Sequence, residues 1–263
     1  MPADEQQEKQ PIPSTIPSVW TRPRRAKREQ PALSREQIVS AALELLDAEG
    51  IDALSMRKLG TRLNAGATSM YTHVANKDEI IELVVDEVYG EIEVPGPDAY
   101  ASGTHTPGAY ADWRAAAARC ARSLRATVLQ HPWMGSVLGG AGVTQLGPNA
   151  MRLSEGLLAM FAAAGLPADE ADHAVSALTA YVIGMTVSEA AWLTTLARSG
   201  RTEREWVESL WPAAEEAASA HPQLREQYEA LRGKDPRETR DEKFDYGLQR
   251  VLDGLEGRLR PAP

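Results

Sequence analysis

From residue 34 onward the apolar positions recur at helical spacing, and nowhere do they alternate as a strand requires. Ile38, Ala41, Ala42, Leu45 and Leu46 fall at i, i+3, i+4, i+7 and i+8, one apolar face of a helix. Ser34 stands before them as an N-cap, Glu36 lies in the first turn, and Gly50 follows at the C-terminal stop. A short second helix is expected from Ser55, with Met56, Leu59 and Leu63 on its apolar side. Asn64-Ala65-Gly66 supplies small, left-handed-tolerant residues for a tight turn. A third helix is expected over Ala67 to Val74, with Met70, Tyr71 and Val74 inward. Asn76 and Asp78 then cap a longer one that carries Ile80, Ile81, Val84, Val85, Val88 and Tyr89.

Four glycines and three prolines between Gly90 and Gly108 mark a linker. Beyond it the pattern is helical again. Trp113, Ala117, Cys120, Ala121, Leu124 and Val128 share one face, which His131-Pro132 ends. Met151, Leu157, Leu158 and Phe161 place a helix between Gly147 and Gly165. Pro167 to Ser199 is apolar almost all round, which predicts burial on more than one side. Thr202 and Glu205 read as a capping box opening a helix with Trp206, Val207 and Leu210. Phe244, Leu248, Val251, Leu252 and Leu255 give a final amphipathic helix. The expected fold is all-α, divided into a disordered basic arm over residues 1–33, a domain over 34–94 and a second over 108–259.

Charge sharpens this division. The net charge of −9 conceals a basic front: Arg22 to Lys77 holds ten Lys and Arg against six Asp and Glu. A basic segment on an acidic body is expected where only the front meets a polyanion. Arg22-Pro23-Arg24-Arg25-Ala26-Lys27-Arg28 packs five cations into seven residues, and its Arg24 and Arg25 are candidates for a phosphate track or minor groove. A solvated tail is the alternative. The longest uncharged apolar run, Ala174 to Ser188, is 15 residues, short of the about 20 that a membrane span needs. The single cysteine, Cys120, excludes an intramolecular disulfide, and no Cys/His set has zinc spacing. A cytoplasmic protein without metal or other cofactor is the expectation. No GxSxG, P-loop or HExxH motif is present to support an enzyme.

Two short helices joined by a tight turn and preceded by a longer one form a helix-turn-helix. The residues that fill it, Leu54-Ser55-Met56-Arg57-Lys58-Leu59 and Ser69-Met70-Tyr71-Thr72-His73-Val74-Ala75-Asn76-Lys77-Asp78-Glu79, resemble the signature of the TetR family of bacterial transcriptional regulators. The likeness is specific over about residues 34–92 and looser beyond. There, Trp113 to Leu124, His131-Pro132-Trp133 and Gly147-Pro148-Asn149 resemble the ligand-binding domain of the tetracycline-repressor branch. The resemblance implies a homodimer that binds a palindromic operator on double-stranded DNA and is released by a small-molecule effector. It implies a recognition helix over Ala67 to Val74, with Thr68, Ser69, Tyr71, Thr72 and His73 at positions facing the major groove or its walls. It further implies base-edge contact by Arg57 and phosphate contact by Lys77. Tyr71 is open to a second role, covering the three-helix core with its ring. Where the tetracycline repressor has a drug-binding histidine late in its fourth helix this chain has Glu93, which argues against a tetracycline–metal effector.

An effector cavity should be mostly apolar with a few polar anchors. Trp113, Trp133, Leu138, Met151, Tyr181, Met185, Glu189 and Trp192 are the candidate lining, and ordinary core packing is the alternative for each. Glu189 is the only charge in its apolar stretch, either a ligand anchor or a residue of a wet dimer seam. Two rival readings remain: a small-molecule-binding helical protein without operator binding, and an all-α enzyme.

Overall fold

The computed structural model describes residues 33–94, 110–138 and 146–259. Among these the fold is entirely helical. Helix α1 (Arg35–Glu49) starts at Ser34, whose hydroxyl accepts from Gln37 N while the Gln37 side chain accepts from Ser34 N. That reciprocal pair satisfies two donors the first turn would otherwise orphan. A single 3-10 turn (Ile51–Ala53) leads to α2 (Met56–Arg62), capped by Ser55 on Lys58 N. Asn64, at φ 48°, turns the chain into α3 (Ala67–Tyr71), and Asn76 caps α4 (Lys77–Tyr89). Ile38, Ala42, Leu45, Leu46, Leu59, Met70, Val74 and Val84 close a dry core beneath α1 to α4.

The second half contains α5 (Tyr110–Gln130), α6 (Met134–Leu138), α7 (Pro148–Ala163), α8 (Ala168–Ser199), α9 (Glu203–Ala218), α10 (Pro222–Leu231) and α11 (Pro236–Leu259). Helix α8 is the spine, packed against α5, α6, α7 and α11. Among the described residues it is the one helix long and apolar enough to cross a membrane, and it packs against these four helices along one stripe.

Three expectations are corrected. The third helix ends at Tyr71 rather than Val74, and the chain turns through Thr72, whose hydroxyl donates to Ser69 O (2.6 Å), and His73. Tyr71 points outward, 51% exposed, while Met70 of this helix and Val74 just beyond it are buried in the core. Helix α8 buries one stripe only, Ala171, Ala174, Leu178, Val182, Thr186 and Ala190, and within one chain its far side is uncovered. Helices α6 and α10 were not legible; α10 buries no residue and is held by Tyr228 against Trp211, ring centroids 6.0 Å apart.

Candidate nucleic-acid interface and its link to the helical domain

Helices α2 and α3 meet at the Asn64–Gly66 turn with their outer faces in water. Arg57 is exposed on α2, and among the described residues it has no ion-pair partner, so its guanidinium is available. Its neighbours are tethered: Lys58 pairs with Glu49, and Arg62 with Glu44 at 2.6 Å. Glu49, Ser55, Arg57, Lys58, Thr61 and Arg62 line an open cleft of about 440 Å³ between α1 and α2. Both pairs are solvent-exposed, so exchanging them for phosphate partners costs little.

On α3, Ser69 is half-buried and Tyr71 and Thr72 are exposed, while His73 sits half-buried just past the helix end. Ala67 and Thr68 open the helix. The Tyr71 hydroxyl is therefore on the outer face with the other candidates. Lys77 opens α4, and its ammonium donates to Ile51 O at 3.1 Å. That bond ties α4 to the turn after α1 and places the charge beside the motif. Arg24 and Arg25 lie outside the described residues.

Sequence reasoning did not find the junction between the two halves, which is built from polar groups. Asp86 of α4, buried, accepts from Asn149 N (3.0 Å) and Ala150 N (2.9 Å), the first free donors of α7. A carboxylate there satisfies orphan N–H groups and complements the positive helix end. Arg152, one turn along α7, donates back to Tyr89 O (3.1 Å) and Ile92 O (3.3 Å) at the end of α4. Each helix thus grips the other's terminus. Gly147 is required at this join, since a Cβ would lie within 2.8 Å of the Asp86 Cβ and closer still to its carboxylate. Burial, with the Asp86 charge adding, pushes the Tyr89 phenol up to about 12, so it stays neutral here.

The candidate effector residues do not converge on one pocket. Trp113 is buried against Phe161, ring centroids 5.8 Å apart, and Leu138 ends α6 half-buried. Trp133 is buried and donates from its indole to Asp47 of α1 at 2.8 Å. Met151 and Met185 are exposed on α7 and α8. The Tyr181 hydroxyl donates to Phe244 O at 2.7 Å, and Trp192 donates to Glu203 at 3.1 Å. Glu189 is not a free anchor. It accepts from Arg125 Nε and Nη2 (both 2.8 Å) and from Arg240 Nε (3.0 Å). Burial pulls its carboxyl upward, but the two guanidiniums outweigh this and hold it below the ordinary carboxylate value. Helices α5, α8 and α11 are thereby locked together. Cys120 is buried, and burial pushes its thiol up to about 11, which leaves it inert. Among the described residues no group of three His, Cys, Asp or Glu is placed to hold a metal ion.

Comparison with known proteins bears on both halves. Residues 38–84 match the bacterial regulatory proteins of the tetR family, and residues 106–259 match the tetracyclin repressor-like C-terminal domain. The chain is 35% identical to an HTH-type transcriptional regulator of Saccharopolyspora erythraea over 90% of its length and 91% of that protein. It is 32% identical to the transcriptional repressor DrrR1 of Streptomyces coeruleorubidus over 93% of its length and 86% of the relative. It also superposes on the Streptomyces coelicolor ActR, solved with actinorhodin, with TM-score 0.68 and 29% identity over 87% of this chain and 99% of ActR.

Proposed function

The chain belongs to the TetR family of transcriptional regulators, and on that premise we propose that it is a homodimeric, cytoplasmic repressor whose helix-turn-helix pair occupies a palindromic operator until an effector binds. It is a ligand-responsive regulator, not an enzyme. The observation that carries the operator reading is the outer face of α2 and α3. Arg57, Ser69, Tyr71 and Thr72 are presented outward from a rigid core, with Lys77 beside them. Small hydroxyl side chains let backbone approach base edges, and an Arg with no ion-pair partner among the described residues matches the donor fork that reads guanine.

The domain boundaries at residues 34–94 and 108–259 fit this division of labour, with α4 and the Asp86–α7 join as the connection. Dimer formation is supported by α8, whose Ala177, Ala180, Gly184, Met185 and Ala191 are exposed in the single chain. A second copy of α8 and α11 would cover that side and set two recognition helices about 34–36 Å, or a multiple, apart. For the effector, ActR's complex with actinorhodin supports a small-molecule ligand. Leu138, Met151 and Met185 remain candidates for the lining of its site, since Trp113, Trp133, Tyr181, Glu189 and Trp192 are engaged in structural contacts. Titration of the full chain against a randomised duplex pool tests the reading: enrichment of a palindrome supports it, and binding without sequence preference overturns it.

A further inference from the structure

His131 lies at the corner between α5 and α6, where the second half of the chain meets α1 and the end of α4. Its side chain is 5% exposed. Nδ1 is 2.7 Å from Asp47 Oδ1 on α1, and Nε2 is 3.1 Å from Glu91 Oε2 just beyond α4. Asp47 Oδ1 also accepts from the Trp133 indole at 2.8 Å, and the two rings meet edge to face, centroids 6.4 Å apart. Four residues from three separate elements thus share one polar knot around a buried ring, with the two carboxylates partly open to solvent.

The chemistry of the ring sets the behaviour of this knot. A carboxylate only accepts, so both contacts are hydrogen bonds only when both ring nitrogens carry protons. The resulting imidazolium also offsets the two facing charges, Asp47 and Glu91. A neutral imidazole donates from one nitrogen and turns a lone pair toward the other carboxylate. One tether is then lost and a partly buried carboxylate is left without its donor. The knot therefore has two hydrogen-bonding states that differ by one ring proton.

We infer that His131, with Asp47, Glu91 and Trp133, is a proton-gated latch that fixes the DNA-binding half against the regulatory half, and that operator affinity falls when the ring loses its proton. The affinity part rests on the operator-binding function proposed above. With the latch closed, α1 and the α4 end are pinned to the α5–α6 corner, and the helix-turn-helix carried on α1 is held in one orientation. With it open, that orientation must be fixed on binding, at a cost in affinity. His131 acts here as a positioning residue, since it touches neither DNA nor effector.

The experiment has two arms on the full chain. In the first, operator affinity is measured at about pH 6 and about pH 8 for wild type, His131→Gln and His73→Gln. The wild-type affinity should fall about three- to tenfold more than that of His131→Gln across this interval, and His73→Gln should keep the His131-dependent part. An unchanged pH profile in His131→Gln overturns the latch. The second arm needs no DNA: the indole N–H signal of Trp133 is followed by NMR as the His131 ring is titrated in the wild type. The latch requires the indole signal to shift with the same midpoint as the ring, because both donate to Asp47 Oδ1. An indole signal indifferent to the ring overturns it. If no duplex is bound specifically yet the two signals move together, the operator reading fails and the latch between domains stands.

Discussion

Replacing Glu189 by Gln probes the tie that holds α5, α8 and α11. The side chain is 10% exposed and accepts three charge-assisted hydrogen bonds, two from Arg125 and one from Arg240. Removing one partner of a buried ion pair costs about 3–5 kcal/mol when the other charge is left alone. Neither arginine would be left alone, since Arg125 keeps Asp241 at 2.7 Å and Arg240 keeps Glu203. Gln also retains one acceptor oxygen. The loss should therefore be about 2 kcal/mol. Asp241→Asn is the control: its side chain is 49% exposed, and the same Arg125 contact there should be worth about 0–1 kcal/mol. The pH dependence follows from the lowered carboxyl of Glu189. Its stabilisation is fully present above the ordinary value of 4.5 and is lost as pH falls through the lower folded value. The gap between wild type and Glu189→Gln should be constant above about pH 5 and close as the solution is acidified below the ordinary carboxylate value. Equilibrium urea unfolding at one fixed chain concentration reads both, because unfolding of a dimer depends on concentration. A cost below about 0.5 kcal/mol, or one equal to that of Asp241→Asn, refutes the argument.

Three further outcomes are expected. Arg57→Ala should cost about 1–3 kcal/mol of operator affinity and relax preference at one base pair per half-site, whereas Lys77→Ala should weaken all duplexes alike and lower the salt slope by about one per monomer; titrations against single-base-changed duplexes check both. Deleting residues 1–28 should weaken binding and flatten its salt dependence with little change in preferred sequence, read from affinity across a salt series. Gly147→Ala forces a methyl onto Asp86 and should destabilise by about 1–3 kcal/mol, measured by denaturant unfolding, with an unchanged midpoint counting against the α4–α7 join.

The fold was legible where local signals agreed. Ser34, Ser55, Asn76 and Thr202 cap the helices they were expected to cap, each with its side chain on a first-turn N–H. Periodicity failed where tertiary contacts decide. Helix α10 has no buried residue to give it an apolar stripe, and α3 ends at Tyr71 with no Gly or Pro to mark the stop. On the helix-turn-helix, spacing placed Met70 and Val74 in the core but misplaced Tyr71, which is exposed. The junction could not be read from spacing. Asp86, Arg152, His131 and Asp47 are unremarkable polar residues until the fold brings together positions 60 to 84 apart in sequence. Glu189 was noticed as a lone charge in an apolar stretch, but its partners lie on α5 and α11, beyond any local pattern.

The central claim is that two copies of this helix-turn-helix read one palindrome. Its most direct test is the stoichiometry and symmetry of the complex formed by the full chain with the duplex it enriches from a random pool. The account predicts two chains per duplex, with protected half-sites centred about 34–36 Å, or a multiple of it, apart and equally sensitive to Arg57→Ala. A single chain bound to an asymmetric site, or no enriched sequence at all, would contradict it.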